Sequence, residues 1–345
     1  MSLQSDLSLS AAKFDPAAVP AQAARLNGVL LKVMSQGPTW NEVFLSVGAA
    51  RYREMRWNNE TALPRPPVLE SGINATIPSR DKGRDIPIRR FKPEGEIRGT
   101  FMHIHGGGWV LQSEAHQDTL LKAIADMGGL AVVSVGYRLA PEHPFPAAPD
   151  DCVDVANYLI ENAEREFGGP LRFFSGESAG GHLSLLTYLH VHANPKLQLA
   201  GLVLHFGCYE LSSFLPSSYT KKNTPIVTLQ GMQDFIDAFL PNTTEIQRRD
   251  PLISPLWADW VAIGNTLREA GGKLPPILFT VGTEDPLLDD SVFMAAKWQM
   301  AGGEAILKVY PGAPHGFILF EEKVLKSVGE CLRDMKAFFA EKLAV

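Results

Sequence analysis

Six short, near-continuous apolar runs organise this chain: Gly99–Ile104, Ala131–Val135, Leu171–Ser175, Ala200–His205, Pro276–Val281 and Ala305–Tyr310. Runs without polar alternation belong to strands buried on both faces of a parallel sheet. Between the later runs lie stretches with apolar residues at helical spacing. Pro149–Phe167 carries Val153, Ala156, Leu159, Ile160, Ala163 and Phe167 on one stripe, with Asp150 and Asp151 suited to its first turn and Gly168-Gly169 past its end. Asp290–Met300 places Val292, Phe293, Ala296 and Met300 together ahead of Gly302-Gly303, and Glu321–Leu343 repeats the pattern from Val324 to Phe339. Strands alternating with helices predict an α/β fold with a mostly parallel sheet. Two further candidate strands, Ser71–Ile77 and Ile86–Phe91, stand too close together for an intervening helix and predict an antiparallel edge hairpin.

The length of 345 residues allows two domains or one large open-sheet domain. With 45% apolar and 20% charged residues the composition is that of a globular protein, not of a disordered or fibrous one. A net charge of −6 offers no basic surplus for a phosphate backbone, so a nucleic-acid binder is not expected. Three widely spaced cysteines, Cys152, Cys208 and Cys331, form no CxxC and no even set, which fits a reducing compartment and a cytoplasmic protein. Met1–Phe14 lacks the basic-then-apolar pattern of a signal peptide, and no run approaches the roughly 20 apolar residues of a membrane span.

Two regions break the alternation. Near the N-terminus Leu26, Val29, Leu30, Val33 and Met34 recur at helical spacing, with Phe44, Val47 and Tyr52 continuing beyond the Gly37-Pro38 break. A proline-rich linker, Thr61–Pro67, follows. The second region, Phe206 to Ile263, has no clear strand and is rich in aromatic residues; an insertion this long inside a compact domain is expected to be a lid or binding element.

The sharpest chemical signal is Gly176-Glu177-Ser178-Ala179-Gly180, placed directly after the run Leu171–Ser175 and before the helical Leu183, Leu185 and Leu186. Strand, sharp turn and helix are the setting in which a GxSxG serine is exposed as a nucleophile at a helix N-terminus. The second signal is His105-Gly106-Gly107-Gly108-Trp109 at the end of Gly99–Ile104. Consecutive glycines let bare amides approach a developing oxyanion. A phosphate loop would instead want a following Lys-Ser/Thr or a GxGxxG helix start, and Trp109-Val110-Leu111 supplies neither. A serine nucleophile needs a base and the base an orienting carboxylate. Of the nine histidines only His315, in Pro314-His315-Gly316-Phe317, follows the last strand, where the order Ser…Asp…His puts the base. His182, His190, His192 and His205 are expected to pack in helices, at the surface or in the pocket. After Pro276–Val281 the candidate acids are Glu284, Asp285, Asp289 and Asp290; Asp285 sits at the strand exit, while Asp289 and Asp290 are better placed to cap the next helix.

Together with Tyr137-Arg-Leu-Ala-Pro-Glu-His-Pro-Phe-Pro-Ala147, these motifs resemble those of the hormone-sensitive-lipase-like (family IV) carboxylesterases of the α/β-hydrolase superfamily. The match runs from about Val68 to the C-terminus. The resemblance implies an eight-stranded, mostly parallel sheet forming a catalytic domain of residues 68–205 and 264–345. A helical cap would come from 1–67 and 206–263. It implies a serine esterase with Ser178, Asp285 and His315 as triad and Gly106, Gly107 and Ala179 as oxyanion donors. Trp109, Phe206 and Tyr209 are expected to contact a small ester of short to medium acyl chain. No metal or other cofactor is expected, and family likeness allows a homodimer through the last strand or helix. Glu177 departs from the aspartate common at its position and is expected to pack beside the elbow as a structural residue; Tyr137–Pro146 is expected to be a structural loop below the site.

The same triad also serves amidases, lactonases and peptidases, and the sequence does not separate these. A non-catalytic receptor on this scaffold is disfavoured by the filled triad positions, and the pair His103-x-His105 stands without the HExxH or carboxylate cluster of a metal hydrolase.

Overall fold

The computed structural model describes residues 8–37, 42–61, 63–221 and 224–344. Of the features read from the sequence, Met1–Leu7 of the N-terminal segment, Pro38 of the break, the side chain of Phe44 and Ala62 of the linker lie outside the described residues.

The chain opens with two helices, α1 (Ala21–Met34) and α2 (Ala49–Trp57), and then enters the hairpin β1 (Ile73–Pro78) and β2 (Asp85–Phe91). The alternating part follows as β3 (Gly99–Ile104), α3 (Asp118–Gly128), β4 (Leu130–Val135), α4 (Ala147–Phe167), β5 (Leu171–Glu177), α5 (Ala179–Val191) and β6 (Gly201–His205). Four helices then replace strands: α6 (Pro216–Thr220), α7 (Leu229–Phe239), α8 (Glu245–Arg248) and α9 (Trp260–Glu269). The chain closes with β7 (Ile277–Glu284), α10 (Leu288–Met300), β8 (Ala305–Pro314) and α11 (Lys326–Lys342). All eight expected strands form, and they lie in one sheet of order β1-β2-β4-β3-β5-β6-β7-β8. The β1–β2 and β2–β4 pairs are antiparallel and every other pair is parallel.

Every residue of β3, β4 and β6 is buried, so both faces of the central sheet are covered, as their unbroken apolar character requires. Aromatic rings do much of the covering. Phe339 of α11 meets Phe101 at 5.8 Å and Phe173 at 5.0 Å, both edge-on. The β8 edge is closed by the N-terminal segment. Lys13 Nζ donates to Val309 O (3.1 Å) and Asn27 Nδ2 to Gly312 O (3.0 Å). Gly312 has φ +74°, and a Cβ there would stand 2.7 Å from Val19 and 3.0 Å from Ala23, so the two segments touch backbone to side chain.

Three local expectations change. The last helix starts at Lys326, not Glu321, because Leu325 is extended (φ −145°, ψ 109°) and a 3-10 turn, Phe317–Leu319, precedes it. In α1 the buried positions are Ala23 and Leu30, while Val29 is exposed: the helix rests on β8 along a narrower stripe than its apolar spacing implied. Asp289 and Asp290 lie in the first turn of α10 but do not cap it. Asp289 accepts from Ser217 N and Oγ, and Asp290 from the amides of Tyr209 and Glu210, so both carboxylates anchor the segment after β6.

Candidate active site

The turn after β5 closes only because two residues have no side chain. A Cβ on Gly176 would stand 2.3 Å from the carbonyl of Gly180, and one on Gly180 would stand 1.9 Å from Ile104 O. Between them Ser178 takes φ 55°, ψ −118°, its amide donating to His205 O at 2.9 Å, and α5 begins at the next residue. Trp109 (φ 61°) and Phe206 (φ 37°) also hold left-handed backbone here, and such strain gathers where a fold presents a site.

Three strand ends bring together residues far apart in sequence. His315 follows β8 and Asp285 follows β7. His315 Nε2 lies 3.0 Å from Ser178 Oγ, and Nδ1 lies 3.0 Å from both oxygens of Asp285. Asp285 is fully buried and also accepts the Leu287 amide at 2.8 Å; His315 is buried and Ser178 half-buried. With Nδ1–H donating to the carboxylate, Nε2 is left to accept the serine proton. The edge of Phe206 packs on the His315 ring at 4.9 Å and shields it from water. Glu284, by contrast, faces Lys221 at 3.8 Å.

The glycine loop lies alongside. Gly107 (φ +105°) and Gly108 (φ +60°) take conformations side chains rarely adopt, and a Cβ on Gly106 would be 2.8 Å from Glu177 O. Among the described residues no hydrogen bond occupies the Gly106 or Gly107 amide. The loop is braced from below by Tyr137, whose hydroxyl donates to His105 O at 2.9 Å and whose ring stacks on His105 at 4.2 Å. From above, Arg53 of α2 donates to Val110 O at 2.9 Å, and Phe235 of α7 packs against Gly108, where an added Cβ would stand 2.5 Å from the ring.

Six other histidines have partners away from Ser178. Trp109 Nε1 donates to His182 Nδ1 (3.1 Å), so His182 Nε2 donates to Ile253 O (2.7 Å). Burial holds His182 down to about 4, the bond to Ile253 offsetting only part, so it is neutral at pH 7. His190 and His192 bond to carbonyls of their own helix, Leu186 O and Leu189 O, and His205 to Thr280 Oγ1. His103 lies between Ser134 and Glu177, and His105 bonds to Gly106 O.

A cavity of about 660 Å³ opens above Ser178 and His315. Leu31 and Met34 of α1, Met55 of α2, and Ile226, Met232 and Phe235 from the region after β6 line it. Trp109 and Phe206 line it as well. Tyr209 does not: it is fully buried, its ring edge-on to Phe279, its hydroxyl turned toward Gly207 and Gly181. Phe235 and Gly108 were not singled out as contacts by the sequence, although the stripe Met232, Phe235, Ile236, Phe239 in Leu229–Phe239 carried the signal of a packed helix.

Strand order, elbow and crossover pattern define the α/β-hydrolase class. A family model described as alpha/beta hydrolase fold matches residues 101–319, and the chain belongs to that family. An AB hydrolase superfamily protein of Schizosaccharomyces pombe is 30% identical over 276 residues, 76% of either chain. An ethyl acetate hydrolase of Pseudomonas putida is 30% identical over 249 residues, 70% of this chain and 74% of that protein. Among solved structures, an α/β hydrolase from the metagenome of Lake Arreo superposes with a TM-score of 0.77 at 26% identity, covering 94% of this chain and 99% of that one.

Proposed function

We propose that this protein is a carboxylic ester hydrolase that works by two-step acyl transfer from Ser178. The observation that carries the reading is the unbroken line Ser178 Oγ–His315 Nε2 and His315 Nδ1–Asp285, beside glycine amides with no described partner. His315 takes the Ser178 proton as Oγ attacks an ester carbonyl, and Asp285 holds the imidazole tautomer and stabilises the imidazolium. The amides of Gly106, Gly107 and Ala179 receive the oxyanion, Ala179 being the first residue of a helix whose N-terminus adds positive partial charge. His315 then protonates the departing alcohol and activates the water that releases the acid.

The cap is assigned to residues 1–67 and 206–263, and what supports it is that α1, α2 and α7 all contribute to the cavity over Ser178. A short to medium acyl chain is the favoured substrate, a reading supported by the ethyl acetate hydrolase relative. A series of 4-nitrophenyl esters is expected to peak between acetate and octanoate; a maximum at palmitate overturns the chain-length reading. Free, buried Cys152, Cys208 and Cys331 support a reducing, cytoplasmic setting. Among the described residues no helix is long and apolar enough to cross a membrane.

His315→Ala is expected to lower kcat by about 10⁴-fold, the scale of losing a triad member. His182→Ala is expected to keep most of the activity, because its bonds run to Trp109 and Ile253 and not to the serine. Initial rates on 4-nitrophenyl butyrate check the pair, and the reverse ranking means that the base is another residue.

A further inference from the structure

The acyl-transfer scheme leaves one acidic residue of the elbow without a task. Glu177 is bonded to Ser178 in sequence, and its side chain is buried. Both of its oxygens accept from His103 Nε2, at 2.9 and 3.1 Å. Gln117 favours the charged form of the same carboxylate. These partners are not neighbours in the chain. His103 lies on β3, two residues before the glycine loop starts at His105. Gln117 lies where the stretch after that loop passes into α3.

The partners fix which atoms donate. The carboxylate only accepts, so His103 Nε2 carries the proton given to Glu177, while Nδ1 faces Ser134 Oγ at 2.9 Å. Gln117 Nε2 donates to Gln112 Oε1 at 3.2 Å, and its own buried Oε1 has no described partner. Gln117 and Gln112 both line the cavity. At the backbone, Gly106 closes directly on Glu177: a Cβ there would stand 2.8 Å from Glu177 O and 3.5 Å from Ser178 Cβ.

We propose that Glu177 is a positioning residue for acyl transfer, its carboxylate clamping the chain on both sides of the glycine loop so that the Gly106 and Gly107 amides stand at a fixed distance from Ser178 Oγ. The proposal rests on the triad reading above. It differs from a packing role because it needs two accepting oxygens and the full side-chain length. The groups facing the carboxylate from neighbouring elements are His103, His205 and Tyr137, besides Gln117. Burial pushes Glu177 up, but His103, His205 and Gln117 outweigh it and the group lies below the usual glutamate range, so the clamp is ionised at neutral pH. Burial holds His205 down to about 4, only partly opposed by Glu177, and keeps the Tyr137 hydroxyl protonated.

Glu177→Gln keeps the shape but replaces one of the two oxygens that accept from His103 Nε2 with an NH₂, so that two donors face each other. Glu177→Asp keeps the charge and falls one methylene short. In both, kcat on 4-nitrophenyl butyrate is expected to fall about 30- to 100-fold, the scale of an active group displaced by about 1 Å, with KM changed less than about threefold. Affinity for a trifluoromethyl ketone, which binds as a tetrahedral adduct, falls by the same factor as kcat. Gln117→Ala lowers kcat less, and the double variant with Glu177→Gln falls no further than Glu177→Gln alone. An unchanged kcat, a loss confined to KM, or additive losses overturns the clamp. If the Glu177 variants do not fold, Gln117→Ala decides alone: a kcat loss at constant KM supports the clamp, and an unchanged kcat overturns it. Mass-spectrometric mapping of a phosphonate adduct on the parent protein separates the two readings. An adduct away from Ser178 removes the triad assignment and the clamp with it. An adduct on Ser178 with an unchanged kcat in the variants removes the clamp alone.

Discussion

Ser178→Ala is expected to fold as the parent does and to hydrolyse 4-nitrophenyl butyrate at least about 10⁴-fold more slowly. The two effects separate because the hydroxyl contributes little to the fold and, in the proposed mechanism, supplies the attacking atom of the first covalent step. Its side chain is half-buried and its one described side-chain bond is to His315 Nε2, worth about 1 kcal/mol net. The amide bond to His205 O, which holds the elbow against β6, is untouched. Alanine inherits the strained backbone at φ 55°, so that cost is common to both proteins. What remains is a cavity and its amides without a nucleophile. Initial rates and a thermal midpoint check both halves; a kcat within tenfold of the parent places the nucleophile elsewhere.

The largest effect on stability is expected at Gly180, a residue that touches no reacting atom. A Cβ there would lie 1.9 Å from Ile104 O and 2.7 Å from His105 O. Neither is the end of a flexible side chain that can swing away. Both belong to the backbone where β3 gives way to the glycine loop, clamped in mid-sheet between β4 and β5. Helix α5 would have to lift off the sheet, and Gly180→Ala is expected to cost about 3 kcal/mol or more, or to prevent folding. Gly28→Ala in α1 is the internal comparison. Nothing lies within 4 Å of a Cβ there, and the helix propensity of alanine should raise stability by up to about 1 kcal/mol. Urea midpoints of the two variants check the contrast. A Gly180→Ala midpoint equal to the parent's means that the elbow is looser than its packing.

Much of this architecture was readable because burial on both sides leaves a mark one residue wide. Strands such as Leu130–Val135, buried at every position, are written almost entirely in apolar residues, Ser134 excepted, and the hairpin Ile73–Phe91 is marked as antiparallel by the short link between its strands. The elbow was legible for a related reason: glycine at 176 and 180 is a steric requirement, not a preference. What was missed depends on partners distant in sequence. Asp289 and Asp290 have the composition of a helix cap, but Ser217 and the amides after β6 compete for the same oxygens. Tyr209 sits among aromatic residues in the insertion, yet the turn after β6 sends it under the elbow instead of into the cavity. The start of α11 was misplaced because Val324 and Leu325 carry the right period in an extended turn.

The contact between the N-terminal segment and the last strand has a consequence for how the protein is made. Lys13 finds its carbonyl acceptor 296 residues later, Asn27 finds its acceptor 285 residues later, and Gln22 Nε2 donates to Lys323 O, 301 residues on. During synthesis this helix is translated before the strand it docks on, which is the last strand of the sheet in chain order. Until β8 is added, Ala23 lacks the Gly312 backbone it packs on, and the cavity lacks His315, which follows that strand. A ribosome-bound chain stopped short of Ala305 would therefore carry the elbow without β8, without the docking site of α1 and without His315.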